Sequence, residues 1–353
     1  MKKLTKIGAS ALAGSLVATA ASAGSLSVGG TWEVTSELVT GAGSTTYQAL
    51  SNGGNPFGSK GNLSFSGSGE TDWGTASFFM FTADGQASVS SHSQTLDMGD
   101  MGTIGFDQGT GAFGLGTIDD KMPTAYEEVW NGTTATNTDI LDGNGGSAGV
   151  FGYKNTFMDT LVNIEYAPSV GSGDAGDGGN SHVASIVDGT SLNFALTNSS
   201  LMDGLTVGFG HGETTYDMAA SNADQIDTVS TTGFFTYAIG AVTVGYQQSY
   251  TSGSVGTVSS VGNRTTGAND VEMYGIAFNV NDALSISYQD YDNTYKKRGS
   301  ETGDGITQNA SGIQAAYTMG GATLRISDVS VDNSGGTSGN SEDRTEISLL
   351  MAF

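Results

Sequence analysis

One stretch of the chain, between residues 108 and 147, is rich in acidic side chains. It contains the segment GTIDDKMPTAYEEVWNG, and its only basic residue is Lys121. The acidic residues are Asp119, Asp120, Glu127, Glu128, Asp139 and Asp142. Carboxylates that cluster around a narrow, partly low-dielectric passage attract cations and repel anions. In open solvent the same residues would form only a solvated acidic loop, so their role depends on the elements that surround them.

Residues for covalent catalysis are scarce. The three histidines are His92, His182 and His211, and hydrolytic chemistry would require one of them beside a serine or an acid. His211 with Glu213 is the only suggestive pair. The chain has no cysteine, which excludes thiolate chemistry and a disulfide framework. The sequence therefore predicts that the protein is not an enzyme.

The composition favours strands and turns over helices. Glycine accounts for 55 of 353 residues, about twice its average share, and there are only three prolines. Gly, Ser, Thr, Asn and Asp separate the apolar segments, while strong helix formers are few. The formal net charge of −24 argues against nucleic acid or an anionic membrane surface as a partner.

The first 23 residues, MKKLTKIGASALAGSLVATAASA, have the pattern of a bacterial secretory signal. Three lysines begin it, apolar and small residues follow at 7–20, and Ala-Ser-Ala at 21–23 forms a small-residue cleavage site. The apolar stretch is short for an uncleaved signal anchor. We therefore predict that residues 1–23 are removed and that residues 24–353 form one exported domain.

Apolar and polar residues alternate at period two through much of the remaining chain. At the C terminus, Phe353, Met351 and Leu349 fall on one face of a predicted strand, and Glu346 and Arg344 fall on the other. The segments SLSVGGTWEVTSEL, AVTVGYQQ and LSISYQD repeat this pattern. Sixteen strands are predicted, at residues 25–38, 60–67, 74–82, 92–97, 102–107, 148–154, 160–167, 190–197, 204–211, 230–239, 241–250, 270–279, 283–292, 310–318, 322–331 and 344–353.

The lengths of the predicted connections alternate. Long connections follow the odd-numbered strands and short ones follow the even-numbered strands, most clearly at Gly240, 281–282 and 319–321. An outer-membrane barrel has this arrangement, with short periplasmic turns and longer external loops, whereas a soluble sandwich does not require it. Strands 3, 4 and 6 have the weakest patterns, so fourteen or eighteen strands also fit.

The polar face of the predicted strands also favours a barrel. It carries mostly Gly, Ser, Thr, Asn and Gln, as expected of a lumen shared by opposing walls, rather than the Lys and Glu of a sheet in bulk water. In hydrocarbon every backbone N–H and C=O needs an internal partner, so strands 25–38 and 344–353 are predicted to pair and close the sheet. The prediction is an all-β, sixteen-stranded antiparallel transmembrane β-barrel.

The chain resembles the alphaproteobacterial general porins, the sixteen-stranded Rhodobacter type. The resemblance is carried by KGNLSFSGSGETDWGTASFFMF at 60–81, GGATLRISDVSVD at 320–332 and the terminal TEISLLMAF. It implies a homotrimer of barrels in the outer membrane of a Gram-negative bacterium, in contact with lipid and lipopolysaccharide. It also implies that the insertion machinery for barrels reads Phe353, and that the third external loop folds inward to narrow each pore.

The resemblance identifies the acidic stretch at 108–147 as this third loop, so its six carboxylates become an acidic constriction of the pore. It also implies a possible structural Ca²⁺ at Asp119 and Asp120, since Ca²⁺ prefers carboxylate oxygens. Pro123 suits a first helical turn, and residues 123–130 are therefore predicted to form about two turns of helix. Tyr126 and Trp130, four residues apart, would pin that helix to the barrel wall.

A counter-wall of basic residues is expected across the constriction. By strand register Arg325 and Arg344 point inward, and Lys60 and Lys154 lie at strand ends. For Arg325 a plain salt bridge to a neighbouring strand is an equal alternative. The general porins have a richer arginine cluster, and this departure favours cation preference. Lys296-Lys297-Arg298 falls in a long loop, where it would contact lipopolysaccharide or another loop.

The predicted function is passive diffusion of small hydrophilic solutes and ions through a water-filled channel, with cations favoured. A substrate-specific outer-membrane channel is the nearest alternative. A secreted glycine-rich adhesin or solenoid is a further alternative, because DGNGGSAG and GSGDAGDGGN resemble calcium-binding repeats, although no nine-residue period is sustained.

Overall fold

The computed structural model describes residues 24–41, 55–82, 88–133, 149–168, 188–217, 227–252, 268–296 and 305–353. The predicted signal segment 1–23 lies outside these residues. Within them, sixteen strands form one closed antiparallel barrel. The strands are β1 Ser25–Gly41, β2 Phe57–Thr71, β3 Gly74–Thr82, β4 Val89–Asp97, β5 Thr103–Gln108, β6 Val150–Phe157, β7 Thr160–Ala167, β8 Asp188–Asn198, β9 Leu205–Asp217, β10 Thr228–Ile239, β11 Val242–Ser252, β12 Ala268–Asn279, β13 Leu284–Lys296, β14 Thr307–Met319, β15 Ala322–Asp332 and β16 Glu342–Ala352.

The predicted strand number and closure are confirmed. Each strand pairs with its sequence neighbours, and β1 pairs with both β2 and β16. Across the β1–β16 seam Trp32 lies opposite Met351. The last residue completes the seam, because Phe353 N–H donates to the Gly30 carbonyl at 2.9 Å. Among the described strands no sheet edge is left unpaired, as a barrel in hydrocarbon requires. A closed barrel also rules out the solenoid alternative.

The two faces of the strands are inverted relative to a soluble protein. Outward-facing apolar residues are exposed, such as Trp32 at 46% and Phe353 at 81%. Inward-facing polar residues such as Glu33, Gln247 and Ser348 are buried. A continuous apolar exterior of this kind suits acyl chains rather than water. Among the residues described, no helix is long and apolar enough to span a bilayer.

The alternation of connection lengths is also confirmed. Two-residue turns join β2 to β3, β6 to β7, β10 to β11 and β14 to β15, and the connections after odd-numbered strands are longer, except that the β3–β4 connection is no longer than the β8–β9 connection. In the β6–β7 turn, Met158 and Asp159 both have positive φ, of 48° and 60°. A two-residue turn with positive φ at both positions matches the twist of the flanking strands. Neither residue is a glycine, so the sequence carries little signal for this turn.

Several strands extend further toward the long-loop end than the apolar pattern indicated. β1 continues to Gly41, β9 continues to Asp217, and β2 begins at Phe57. Lys60 therefore lies within β2 rather than at its end. These extensions are short or mix polar with isolated apolar residues, such as Val39 of β1 and Phe57 of β2, so alternation is weak in the sequence although the backbone pairing continues.

We expect a charge on the lipid-facing seam to destabilise the barrel. Ile347 of β16 faces outward, is 48% exposed and lies opposite Ile326. Ile347→Arg should lower the free energy of unfolding by about 2–4 kcal/mol, because arginine near the bilayer midplane is poorly solvated. Guanidinium titration of the protein in lipid vesicles, followed by tryptophan fluorescence, measures this. Ser330→Arg, outward and near the long loops, should cost at most about 1 kcal/mol; equal costs would contradict the lipid-facing assignment.

Candidate functional site

The segment after β5 folds into the barrel and lies along its inner wall. We call its described part, residues 109–133, the inner loop. Its first turn is held by Asp107 of β5, whose carboxylate accepts hydrogen bonds from Thr110 N–H at 3.1 Å and Ala112 N–H at 3.2 Å. A short 3₁₀ helix, Gly114–Ile118, follows. These turns redirect the chain from the end of β5 into the lumen.

Side-chain amides of the wall hold the backbone of the inner loop. Asn163 of β7 accepts from Gly114 N–H at 3.1 Å, and Asn193 of β8 accepts from Leu115 N–H at 2.8 Å. Gln247 of β11 accepts from Lys121 N–H at 2.9 Å and donates to the Ile118 carbonyl at 3.0 Å. Gln314 of β14 accepts from Tyr126 N–H at 3.1 Å. The wall thus supplies the partners that an irregular backbone lacks.

Apolar side chains of the inner loop form a hydrophobic core inside the lumen. Trp130 packs against Tyr291 of β13, with ring centroids 4.6 Å apart. The buried cluster comprises Leu115, Ile118, Met122, Val129 and Trp130 of the inner loop with Ala195, Phe234, Val271, Met273, Tyr291, Ala310, Val329 and Val331 of the wall. The apolar residues of the inner loop are therefore packed against β8–β15.

Glycines on the inner wall leave the space that the inner loop needs to pack closely against the strands. A Cβ atom on Gly152 of β6 would overlap the Phe113 ring. A Cβ atom on Gly245 of β11 would lie 2.6 Å from Pro123 Cδ. The high glycine content thus serves close approach of the loop to the strands as well as turns.

The predicted helix at 123–130 is wrong. Ala125 N–H donates to Ser287 Oγ of β13 at 2.9 Å, and Tyr126 N–H donates to Gln314. No residue of 123–130 is helical. At the end of the segment Asn131 N–H donates to the Glu128 carbonyl at 3.0 Å, rather than to the Glu127 carbonyl that an α-helix would use. Tyr126 and Trp130 both contact the wall, but from non-helical backbone and at separate places.

Four carboxylates of the inner loop are part-exposed toward the lumen, namely Asp119, Asp120, Glu127 and Glu128. Burial, together with the negative charges of Glu128 and Asp119, raises the pKa of the Asp120 carboxyl to about 7. Burial also raises the pKa of Asp119 and of Glu127, although Arg344 opposes the shift at Glu127. Asp139 and Asp142 lie outside the described residues.

Three basic residues of the wall, Arg344, Arg325 and Lys60, are paired with carboxylates. Arg344 is in contact with Glu346 and lies 3.1 Å from Glu37 and 3.2 Å from Glu127. Its side chain thereby ties the inner loop to the β1–β16 seam.

Arg325 and Lys60 both form salt bridges with Glu33. Arg325 lies 2.8 Å from Glu33 and 4.3 Å from the ring centroid of Tyr126, whose hydroxyl donates to Glu33 at 2.9 Å. Lys60 lies 3.5 Å from Glu33. The expected counter-wall is therefore neutralised by its own acids. Arg325 does make a salt bridge, but to β1 across β16 rather than to a neighbouring strand.

The other sequence candidates are dispersed. Lys154 lies over the Phe113 ring, 5.3 Å from its centroid. His211 faces outward, and its Nδ1 is 2.8 Å from Thr231 Oγ1 rather than bonded to an acid. Lys296 ends β13. His182, Lys297 and Arg298 lie outside the described residues. Within the described part of the chain, no group of three or more His, Asp or Glu side chains is placed to hold a metal ion.

Sequence reasoning missed the residues that hold the inner loop. Strand alternation places Glu33, Glu346 and Gln247 on a polar face, and no sequence pattern singles out Gln314. An acidic or long amide side chain at an inward position of a strand is the only sequence pattern that these residues share. The pattern shows that the side chain faces the lumen, but it does not show which loop residue the side chain binds.

The fold is shared with several solved barrels. The chain matches a porin refined at 1.8 Å resolution with a TM-score of 0.62 and 16% identity, over 93% of this chain and 100% of that one. A mutant of the porin of Rhodopseudomonas blastica matches with a TM-score of 0.55 and 15% identity, over 93% and 100%. A loop-deletion mutant of OmpT, an outer-membrane protein of Vibrio cholerae, matches with a TM-score of 0.59 and 12% identity, over 94% and 99%.

The fold is that of the porins. No protein-family model matches the chain, and no curated protein matches it by sequence. The likeness is therefore one of fold, at 12–16% identity in these three structures.

We expect that a methyl group added to a wall glycine beneath the inner loop will lower the conductance of the pore. Gly152→Ala should push Phe113 off the wall toward the opening, lowering single-channel conductance and the free energy of unfolding by about 1–3 kcal/mol. Gly29→Ala is the matched control, because the nearest atom to its Cβ is Ser64 Oγ at 3.1 Å, away from the loop. Planar-bilayer recordings measure the conductance. Equal conductance in the two variants would contradict the seating of Phe113 on Gly152.

Cation preference should depend on pH near neutrality. Because the pKa of Asp120 is raised to about 7, this residue is charged above that pH and loses its charge as the pH falls through it. The cation-to-anion permeability ratio should therefore decrease between about pH 8 and 6, as read from reversal potentials in a KCl gradient. Asp120→Asn should flatten the curve in this window, while Asp72→Asn, in the exposed β2–β3 turn, should not. A flat wild-type curve would contradict the shift.

Proposed function

We propose that the protein is a diffusion channel of the outer membrane, through which small hydrophilic solutes and ions pass passively and cations pass preferentially. The observation that carries this proposal is the inner loop, fixed inside a closed barrel with part-exposed carboxylates facing the lumen. Arg344, Arg325 and Lys60 are occupied by Glu33, Glu37, Glu127 and Glu346, so they do not balance Asp119 and Asp120. A narrow passage lined by net negative charge favours cations.

The proposal requires no catalytic step. The barrel provides an opening of defined width and charge, and the solutes move down their own gradients. Catalysis by His211 has no support in the described residues, since its ring pairs with Thr231 on the outward face. A substrate-specific channel would differ in showing saturable flux, whereas a general channel shows conductance proportional to salt concentration.

We place the short turns in the periplasm and the long loops outside the cell, with lipopolysaccharide around the loop end. Phe353 supports this orientation, because it ends β16 on the short-turn side and is 81% exposed for recognition by the insertion machinery. Residues 1–23 would direct export and be removed. Asp119 and Asp120 would bind Ca²⁺ weakly, with water providing most of the six to eight ligands that Ca²⁺ takes.

A homotrimer is proposed through the outer face of β1–β5. Glycines replace large side chains there, and two apolar depressions result. One, of about 1100 Å³, is lined by Leu26, Phe78 and Ile104 among others. The other, of about 850 Å³, is lined by Trp32, Phe65 and Phe353 among others. A second copy of the chain could bury these surfaces more closely than disordered acyl chains.

Removing the unpaired acids should abolish cation preference. A triple variant, Asp119→Asn, Asp120→Asn and Glu128→Gln, should bring the potassium-to-chloride permeability ratio close to one, because few unbalanced charges remain in the opening. Reversal potentials of the reconstituted full chain measure the ratio.

Glu70→Gln, an exposed change at the short-turn end of β2, is the control and should leave the ratio unaltered. An anion-selective wild-type channel, or an unchanged ratio in the triple variant, would overturn the assignment of these carboxylates.

A further inference from the structure

Strand β3 departs from the alternation of its neighbours, because both faces of its second half, from Phe78 to Phe81, are apolar. Phe78 and Met80 face outward, and Phe78 lies opposite the outward Gly67 of β2. Phe79 and Phe81 therefore point into the lumen. Phe79 lies opposite Ser66 of β2 and Ser93 of β4. An apolar pair on a lumen face is unexpected in a water-filled passage and requires an explanation.

The two inward rings form a stacked pair. The centroids of Phe79 and Phe81 are 6.1 Å apart and the ring planes differ by 25°. Both side chains are part-exposed. Phe234 and Tyr291 also point inward, but they are buried in the core beneath the inner loop. Phe79 and Phe81 lie instead on β3, outside that core.

The surroundings of the pair are hydroxyl groups rather than fixed charges. The inward neighbours are Ser64 and Ser66 on β2 and Ser91 and Ser93 on β4. Short serines leave the faces and edges of the two rings accessible to a solute. The rings therefore form a small apolar surface within a wall that otherwise offers weak hydrogen-bonding groups.

The charge of the lumen determines which solutes reach this surface. Inward-facing and loop acids exceed the bases: the acids are Glu33, Glu37, Asp107, Asp119, Asp120, Glu127, Glu128, Glu165, Glu342 and Glu346, and the bases are Lys60, Lys121, Lys154, Arg325 and Arg344. A cation is therefore concentrated in the lumen. The face of an aromatic ring attracts a cation through its quadrupole, and it also stacks with a flat apolar group.

We propose that Phe79 and Phe81 form a binding subsite for organic cations that carry a flat apolar group, such as aromatic ammonium ions. The subsite rests on the proposed function, since the acids of the passage supply the cation and the two rings retain it. Potassium ions remain fully hydrated and pass without using the rings. The channel is thus general toward small ions and retains one class of larger solute.

Block of the potassium current by 2-phenylethylammonium tests this subsite. The full chain is reconstituted in planar bilayers in KCl, and the probe is added on either side. In the wild type the probe should interrupt the current in a saturable manner. The double variant Phe79→Leu and Phe81→Leu should weaken the block about tenfold, because leucine keeps the apolar volume but removes both ring faces.

Two controls isolate the ring faces. Phe78→Leu changes the neighbouring phenylalanine, which faces outward, and should leave the block as in the wild type. Neutral 2-phenylethanol should block more weakly than the ammonium probe. Undiminished block in the double variant, or equal block by the neutral probe, would overturn the subsite. The potassium-to-chloride permeability ratio of the wild type is measured in the same recordings. A ratio of one or less would instead contradict the proposed function.

Discussion

The whole structure depends on one constraint, namely that backbone N–H and C=O groups in hydrocarbon must find partners within the protein. Sixteen strands satisfy it only if the first pairs with the last. The pairing of β1 with β16, extended by the hydrogen bond from Phe353 to Gly30, provides that closure. Once the sheet is closed, its apolar face can meet lipid and its polar face must enclose a lumen.

The same constraint explains how a loop can be fixed inside the barrel. The inner loop has no sheet or long helix to take up its backbone groups. Asn163, Asn193, Gln247 and Gln314 project from four different strands and bind it in sequence order. A backbone held at several points along one wall gives an opening of fixed shape, which a freely moving loop would not.

The pairing of basic residues with carboxylates leaves the opening with a net negative charge. Arg344 and Arg325 are the wall bases best placed to oppose the acids of the inner loop, but each is held by carboxylates at the β1–β16 seam. They therefore act in fastening the inner loop rather than in forming a positive wall. The carboxylates without such partners remain, and the same crowding that leaves them unpaired raises the pKa of Asp120.

The sequence by itself indicated about sixteen strands, the antiparallel closure and the lipid-facing residues, because alternation and connection length are local properties that recur along the chain. The loop that enters the lumen was indicated only by the resemblance to the general porins. Only the tertiary structure decided that residues 123–130 are not helical, that glycines of β6 and β11 seat the inner loop, and that Arg344 pairs with Glu127. These depend on side chains that meet across the lumen from strands far apart in the chain, and no local pattern encodes which pairs meet.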